Sequence, residues 1–145
     1  MQDAIEDRID IDATAAAVWK LVSEPGWWIN DGTYREHRIE ERDGMVIVTD
    51  PEHGVFPLVI ADSDEPRYIA FRWLERDGVA RADGPGTLTE FWLDERPGGV
   101  TLRVRESGFA SLGKPEADLL AHLADNTSGW RQELDVARRH IEANA

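Results

Sequence analysis

The sequence predicts an α+β fold in which a curved antiparallel sheet wraps around a long C-terminal helix, with two short helices after the first strand. Three observations predict it. Between Tyr34 and Ser107 apolar residues recur with a period near two, interrupted by turn-forming pairs. After Pro115 the spacing changes to alternating steps of four and three, which is one face of a helix. Ahead of the strands lies a short helical stretch that a Pro-Gly pair cuts off. The length of 145 residues suits one domain, so residues 1–145 are expected to form a single unit.

Along the chain, Ala4 to Ile11 alternates in part, with Ile5, Ile9 and Ile11 as its apolar positions, and reads as an edge strand. Asp12 and Thr14 offer helix N-caps for Ala15-Ala-Ala-Val-Trp-Lys-Leu-Val22, where Val18, Trp19 and Val22 group at helical spacing. Pro25-Gly26 ends that helix, and Trp27-Trp28-Ile29 forms a second short helical turn closing near Asn30-Asp31-Gly32. Strands follow near 35–42, 45–50, 54–62, 67–74, 86–95 and 99–107. Their turns are Asp43-Gly44, Asp64-Glu-Pro66, Asp83-Gly-Pro-Gly86 and Pro97-Gly-Gly99. Short turns between successive strands make an antiparallel meander.

Within it, Ile69, Phe71 and Trp73 share one face, as do Thr89, Phe91 and Leu93, and then Leu102, Val104 and Glu106. On the last helix a stripe runs Leu123, Thr127, Trp130, Leu134, Ala137, Ile141, extended backwards by Leu119 and Leu120. Asn126-Thr-Ser-Gly129 are weak helix formers and predict a kink or break. Arg131 with Asp135, and Arg138 with Glu142, sit four apart and are expected to pair.

Charge and composition remove several functions. Lys and Arg number 16 against 29 Asp and Glu, a net charge of −13, which argues against nucleic acid and against an anionic membrane surface. There is no cysteine, so disulfides, thiolate nucleophiles and cysteine-held metals are out. His37, His53, His122 and His140 show no metal-ligand spacing and read mostly as solvated, so neither metal nor cofactor is expected. The acidic N-terminus carries no secretory pattern, and a cytoplasmic location is expected. Asn126-Thr127-Ser128 matches a glycosylation acceptor only by pattern.

One helix seldom fills the concave face of so large a sheet, and six tryptophans are a heavy load for this length. An internal, largely apolar pocket is therefore expected, with Trp28, Phe71, Trp73, Phe91, Glu106, Trp130 and Leu134 as ligand-binding residues. The competing reading of these rings is plain core packing. Alternation turns Glu106 inward beside aromatic rings, where a carboxyl can act as a general acid or base. Otherwise it is solvated at the strand end or pairs with Arg72 or Arg35. Of the adjacent Trp27 and Trp28, one enters the core and the other borders the pocket mouth or plugs the sheet end.

Ala15 to Val22 followed by Pro25 and Trp27-Trp28 resembles the N-terminal signature of the activator of Hsp90 ATPase homologue-like family. Asp64-Glu-Pro-Arg67, Phe71-Arg-Trp73, Thr87 to Leu93 with Pro97-Gly-Gly99, Glu106-Ser-Gly-Phe109, and Gly129-Trp130 with Leu134 follow in that family's order. The family lies in the START/Bet v 1-like superfamily, also called SRPBCC or polyketide cyclase. The resemblance implies a helix-grip fold and an internal cavity for a small hydrophobic or aromatic molecule. The family's eukaryotic cochaperones engage the chaperone through an additional N-terminal domain, which has no counterpart in these residues. Binding of a small molecule is the expected function. A cyclase, dehydratase or hydrolase using Glu106 in the same cavity is the alternative. A chaperone-type interaction module is the other, for which Trp92 and Leu88 on the opposite face would serve. An exposed sheet edge leaves a homodimer open.

Overall fold

The computed structural model describes residues 4–30, 32–52, 54–73, 87–109 and 115–144. Strand β1 (Ala4–Ile11) leads into helix α1 (Ala15–Val22), and strands β2 (Arg38–Arg42), β3 (Met45–Asp50), β4 (Gly54–Asp64), β5 (Tyr68–Trp73), β6 (Leu88–Arg96) and β7 (Gly99–Ser107) follow. Helix α2 (Glu116–Asn144) closes the chain. The strands make one seven-stranded sheet in the order β1-β7-β6-β5-β4-β3-β2, antiparallel throughout. With α2 packed against it, this is the helix-grip α+β fold.

Local chemistry sets these elements. Thr14 caps α1, its hydroxyl accepting from the Ala17 amide at 3.1 Å. Asp12, the other cap expected from sequence, instead accepts from Arg96. At the β2–β3 turn Asp43 and Gly44 both have positive φ, 53° and 79°, the geometry a two-residue hairpin needs to match strand twist. The β4–β5 turn holds a cis Glu65–Pro66 bond. The expected turn at Asp83 to Gly86 lies outside the described residues.

The second short helical turn is a run of tight turns. Trp27 N–H donates to Glu24 O and Ile29 N–H to Gly26 O, each three residues back. Gly26 makes this approach feasible: its φ is +73°, and a Cβ there would sit 2.8 Å from Val48 Cγ1 on β3. The turn thereby drives Trp27 and Trp28 into the concave face of the sheet. Register lines up the inward side chains. Ile69, Phe91 and Val104 form one row, and Phe71, Thr89, Glu106 and Ile5 the next.

Helix α2 runs unbroken through Asn126 to Gly129, where sequence predicts a kink or break. The side chains that would compete with the helix backbone are occupied: Thr127 donates back to Leu123 O and Asn126 reaches Glu106. Leu119, Leu123, Trp130, Leu134, Ala137 and Ile141 are buried, whereas Thr127 and Leu120 are exposed. The expected Arg131–Asp135 and Arg138–Glu142 pairs are replaced. Arg131 meets Asp7 on β1, Asp135 takes Arg138 and Arg139, and Glu142 accepts from the Asp12 amide. A strand lying beside the helix offers partners that spacing along the helix cannot show. Among the described residues no helix is long and apolar enough to cross a membrane.

Candidate functional site

The Trp27-Trp28 turn, the inward ends of β5 and β7, and the middle of α2 meet around a cavity of about 290 Å³. Trp28 is its hub. Its ring lies 5.3 Å from Phe71, 5.7 Å from Trp73, 5.4 Å from Phe91 and 5.8 Å from Trp130, centroid to centroid. The rings meet at angles from 41° to 75°, so edges and faces both point inward. Trp27, its neighbour, packs on the same Phe91, 5.3 Å centroid to centroid, and is 1% exposed.

Of the residues expected from sequence, Trp28, Trp73, Glu106 and Trp130 line the cavity. Phe71, Phe91 and Leu134 lie in the core behind it, each 0% exposed, and shape the wall without lining it. Sequence reasoning did not single out Asn30, Asn126, Gly129, Gln132 and Glu133, which complete the lining. Four of the five sit on α2. Asn126 and Gly129 bound the stretch of weak helix formers, and that interruption of helix propensity is the signal that could have found them. The lining thus combines tryptophan rings with polar side chains from both the sheet and the helix.

Glu106 is buried, and neither Arg72 nor Arg35 pairs with it. Arg35 is engaged by Asp50 and Glu52. Its carboxyl takes three hydrogen bonds instead. Trp130 Nε1 donates to Oε1 at 2.9 Å, Asn126 Nδ2 to Oε1 at 3.0 Å, and the Thr87 hydroxyl to Oε2 at 2.8 Å. Thr87 is held in reach because its carbonyl accepts from the Trp73 amide at 2.9 Å. Across the cavity wall a second buried acid, Glu133, accepts from Asn30 Nδ2 at 3.0 Å and from the Gly32 amide at 3.4 Å. Asn30 ties the tryptophan turn together: it also donates to Trp27 O and accepts from the Arg35 amide.

Two further features show space and unmet bonding. A Cβ at Gly129 would meet nothing within 4 Å. Trp28 Nε1 is buried without a hydrogen-bond partner, although nearly all buried donors in folded proteins have one. Among the described residues no group of three or more His, Asp or Glu converges as a metal site.

The other charged and aromatic groups lie elsewhere. His37, expected to be solvated, has its side chain 1% exposed, with Nε2 against Ile29 O and 3.0 Å from Asp50 Oδ1. Period and spacing along a chain carry no sign of such a pairing. His140 stacks on Tyr34 at 3.7 Å, while His53 and the His122 side chain lie outside the description. On the convex face Trp92 is half-buried, with Arg103 5.0 Å above its ring and Tyr68 beside it. Burial, followed by the hydrogen bond to Glu90, raises the Tyr68 phenol well above its ordinary value.

No family model and no curated protein matches this sequence. Solved structures do. Protein MLL2253 from Mesorhizobium loti superposes with a TM-score of 0.72 at 16% identity, covering 98% of each chain. The Aha1 dimer from Colwellia psychrerythraea gives 0.68 at 16% identity, with 97% of each chain covered. DynU16, of the dynemicin biosynthetic locus, gives 0.71 at 18% identity over 99% of this chain and 49% of its own, so this chain spans about half of it. At these identities the likeness establishes a shared fold.

Proposed function

We propose that this protein binds a small aromatic molecule in the cavity bounded by Trp28, Trp73 and Trp130. The observation that carries the reading is the convergence of three tryptophans, Trp28, Trp73 and Trp130, on a cavity that Gly129 leaves open. A ligand that stacks on these rings would bury its apolar faces while its polar groups meet the Asn, Gln and Glu side chains of the lining. At about 290 Å³ the cavity lies near the lower end of the ~300–1,000 Å³ range of small-molecule sites, which suits one or two rings. Glu106 and Glu133 would orient the ligand through its polar groups.

Native mass spectrometry of the gently purified protein, compared with its denatured mass, tests this. A discrete additional mass released on denaturation is expected. A protein that carries nothing, and whose tryptophan fluorescence ignores a panel of small aromatic compounds, would make the cavity an imperfection of core packing.

A homodimer is a separate proposal. It draws on the dimeric state of the Colwellia protein and on β2, which is an edge of the sheet among the described residues. Sedimentation analysis decides it.

A further inference from the structure

Buried carboxylates in folded proteins are almost always matched by a cation or a metal, because hydrogen bonds alone leave their charge uncompensated. Glu106 is 4% exposed and Glu133 6%, and both line the same cavity. Among the described residues no arginine, lysine or histidine pairs with Glu106, and none of the residues lining the cavity is basic. Three of the roughly four acceptor positions of the Glu106 carboxyl are filled by Trp130, Asn126 and Thr87. One is left for a donor from the cavity.

The opposite wall is suited to the same charge. Trp28, Trp73 and Trp130 all line it, and an aromatic face attracts a cation held within about 6 Å. Among the described residues no group of three or more His, Asp or Glu is gathered here, so the carboxylates suit an organic cation better than a coordinated metal. The net charge of −13 places a field around the molecule that draws cations in and turns anions away.

We infer that the ligand of this cavity is a small aromatic amine, bound as its ammonium form among Glu106, Glu133 and the three tryptophans of the lining. This rests on the reading that the cavity binds a small aromatic molecule, and it adds the sign of the charge. Three probes of one shape separate the two claims: phenethylamine, phenethyl alcohol and phenylacetate, each titrated at neutral pH by tryptophan fluorescence and calorimetry. The amine is expected to bind at least about tenfold more tightly than the alcohol, with phenylacetate weakest. Glu106→Gln and Glu133→Gln, which keep side-chain shape, should each reduce that preference. If the alcohol binds as well as the amine, or phenylacetate binds best, the cavity reading stands and the amine inference falls. If both variants keep the full preference, the carboxylates are not its source and the inference also falls. If none of the three binds, both readings fall together.

Discussion

Trp130 on α2 donates its indole N–H to Glu106 on β7 across 2.9 Å, at a point where both side chains are buried. This bond joins the helix to the concave face of the sheet through a polar contact inside a mostly apolar layer. Its energetics follow from what each substitution leaves unpaired. Glu106→Leu strands three donors, from Trp130, Asn126 and Thr87, and should cost about 3 kcal/mol or more in urea denaturation. Glu106→Gln can keep its oxygen towards Trp130 and Asn126 and turn its NH₂ to the Thr87 hydroxyl, which rotates to accept. A loss of no more than about 1 kcal/mol is expected, and a Gln variant as unstable as the Leu variant would refute this account.

Gly129 tests the cavity from the helix side. Since a Cβ there meets nothing, Gly129→Ala should stabilise the protein by up to about 1 kcal/mol through helix propensity alone. Gly129→Leu should fill the space and abolish binding of the aromatic probes while the far-ultraviolet circular dichroism stays unchanged. Undiminished binding by the Leu variant would move the site elsewhere.

The opposite result is expected at Gly26. Its φ of +73° disfavours any side chain, and the added Cβ would press on Val48. Gly26→Ala should lower stability by about 1–3 kcal/mol and shift the tryptophan emission, because the turn that seats Trp28 must move. A variant with wild-type stability and emission would show that the turn does not depend on this approach.

Glu24 supplies a pH signature. Burial raises its pKa above the ordinary 4.5, with Glu36 adding to the rise and His37 and His140 opposing it. A raised carboxyl binds its proton more tightly folded than unfolded. Its contribution to stability is therefore present below about 4.5 and is lost as pH climbs through the folded value. Glu24→Gln should flatten this fall, so the variant gains on the wild type between acidic and neutral pH in parallel urea titrations. Equal slopes for the two proteins would contradict the assignment.

Much of this architecture is legible in the chain. Alternation in Met45 to Asp50 and the Asp43-Gly44 pair specify a hairpin, because face and turn geometry are both local properties. The inward direction of Glu106 follows from the same alternation. Depth does not. Phe71 and Trp73 lie on one face two residues apart, yet the first is sealed in the core and the second borders the cavity. That difference depends on how far α2 and the tryptophan turn reach over the sheet. Glu133 was illegible for a related reason. A charged residue beside Leu134 reads as solvent-facing, and what makes its burial tolerable is Asn30, 103 residues away in sequence.

The seam between β1 and β7 has a consequence for the order in which the molecule can be made. β1 pairs from Ala4 to Ile11 with β7, and the Asp12 amide that follows it is satisfied by Glu142 at the far end of α2. β1 therefore waits through synthesis of the whole meander before its partner exists, and closing so long a loop slows folding. Trp28 and Trp130 lie comparably far apart in sequence, so the cavity is among the last parts of the molecule to form. A chain stalled before α2 would hold its tryptophan turn over an open sheet, with apolar surface available to any holdase that meets it.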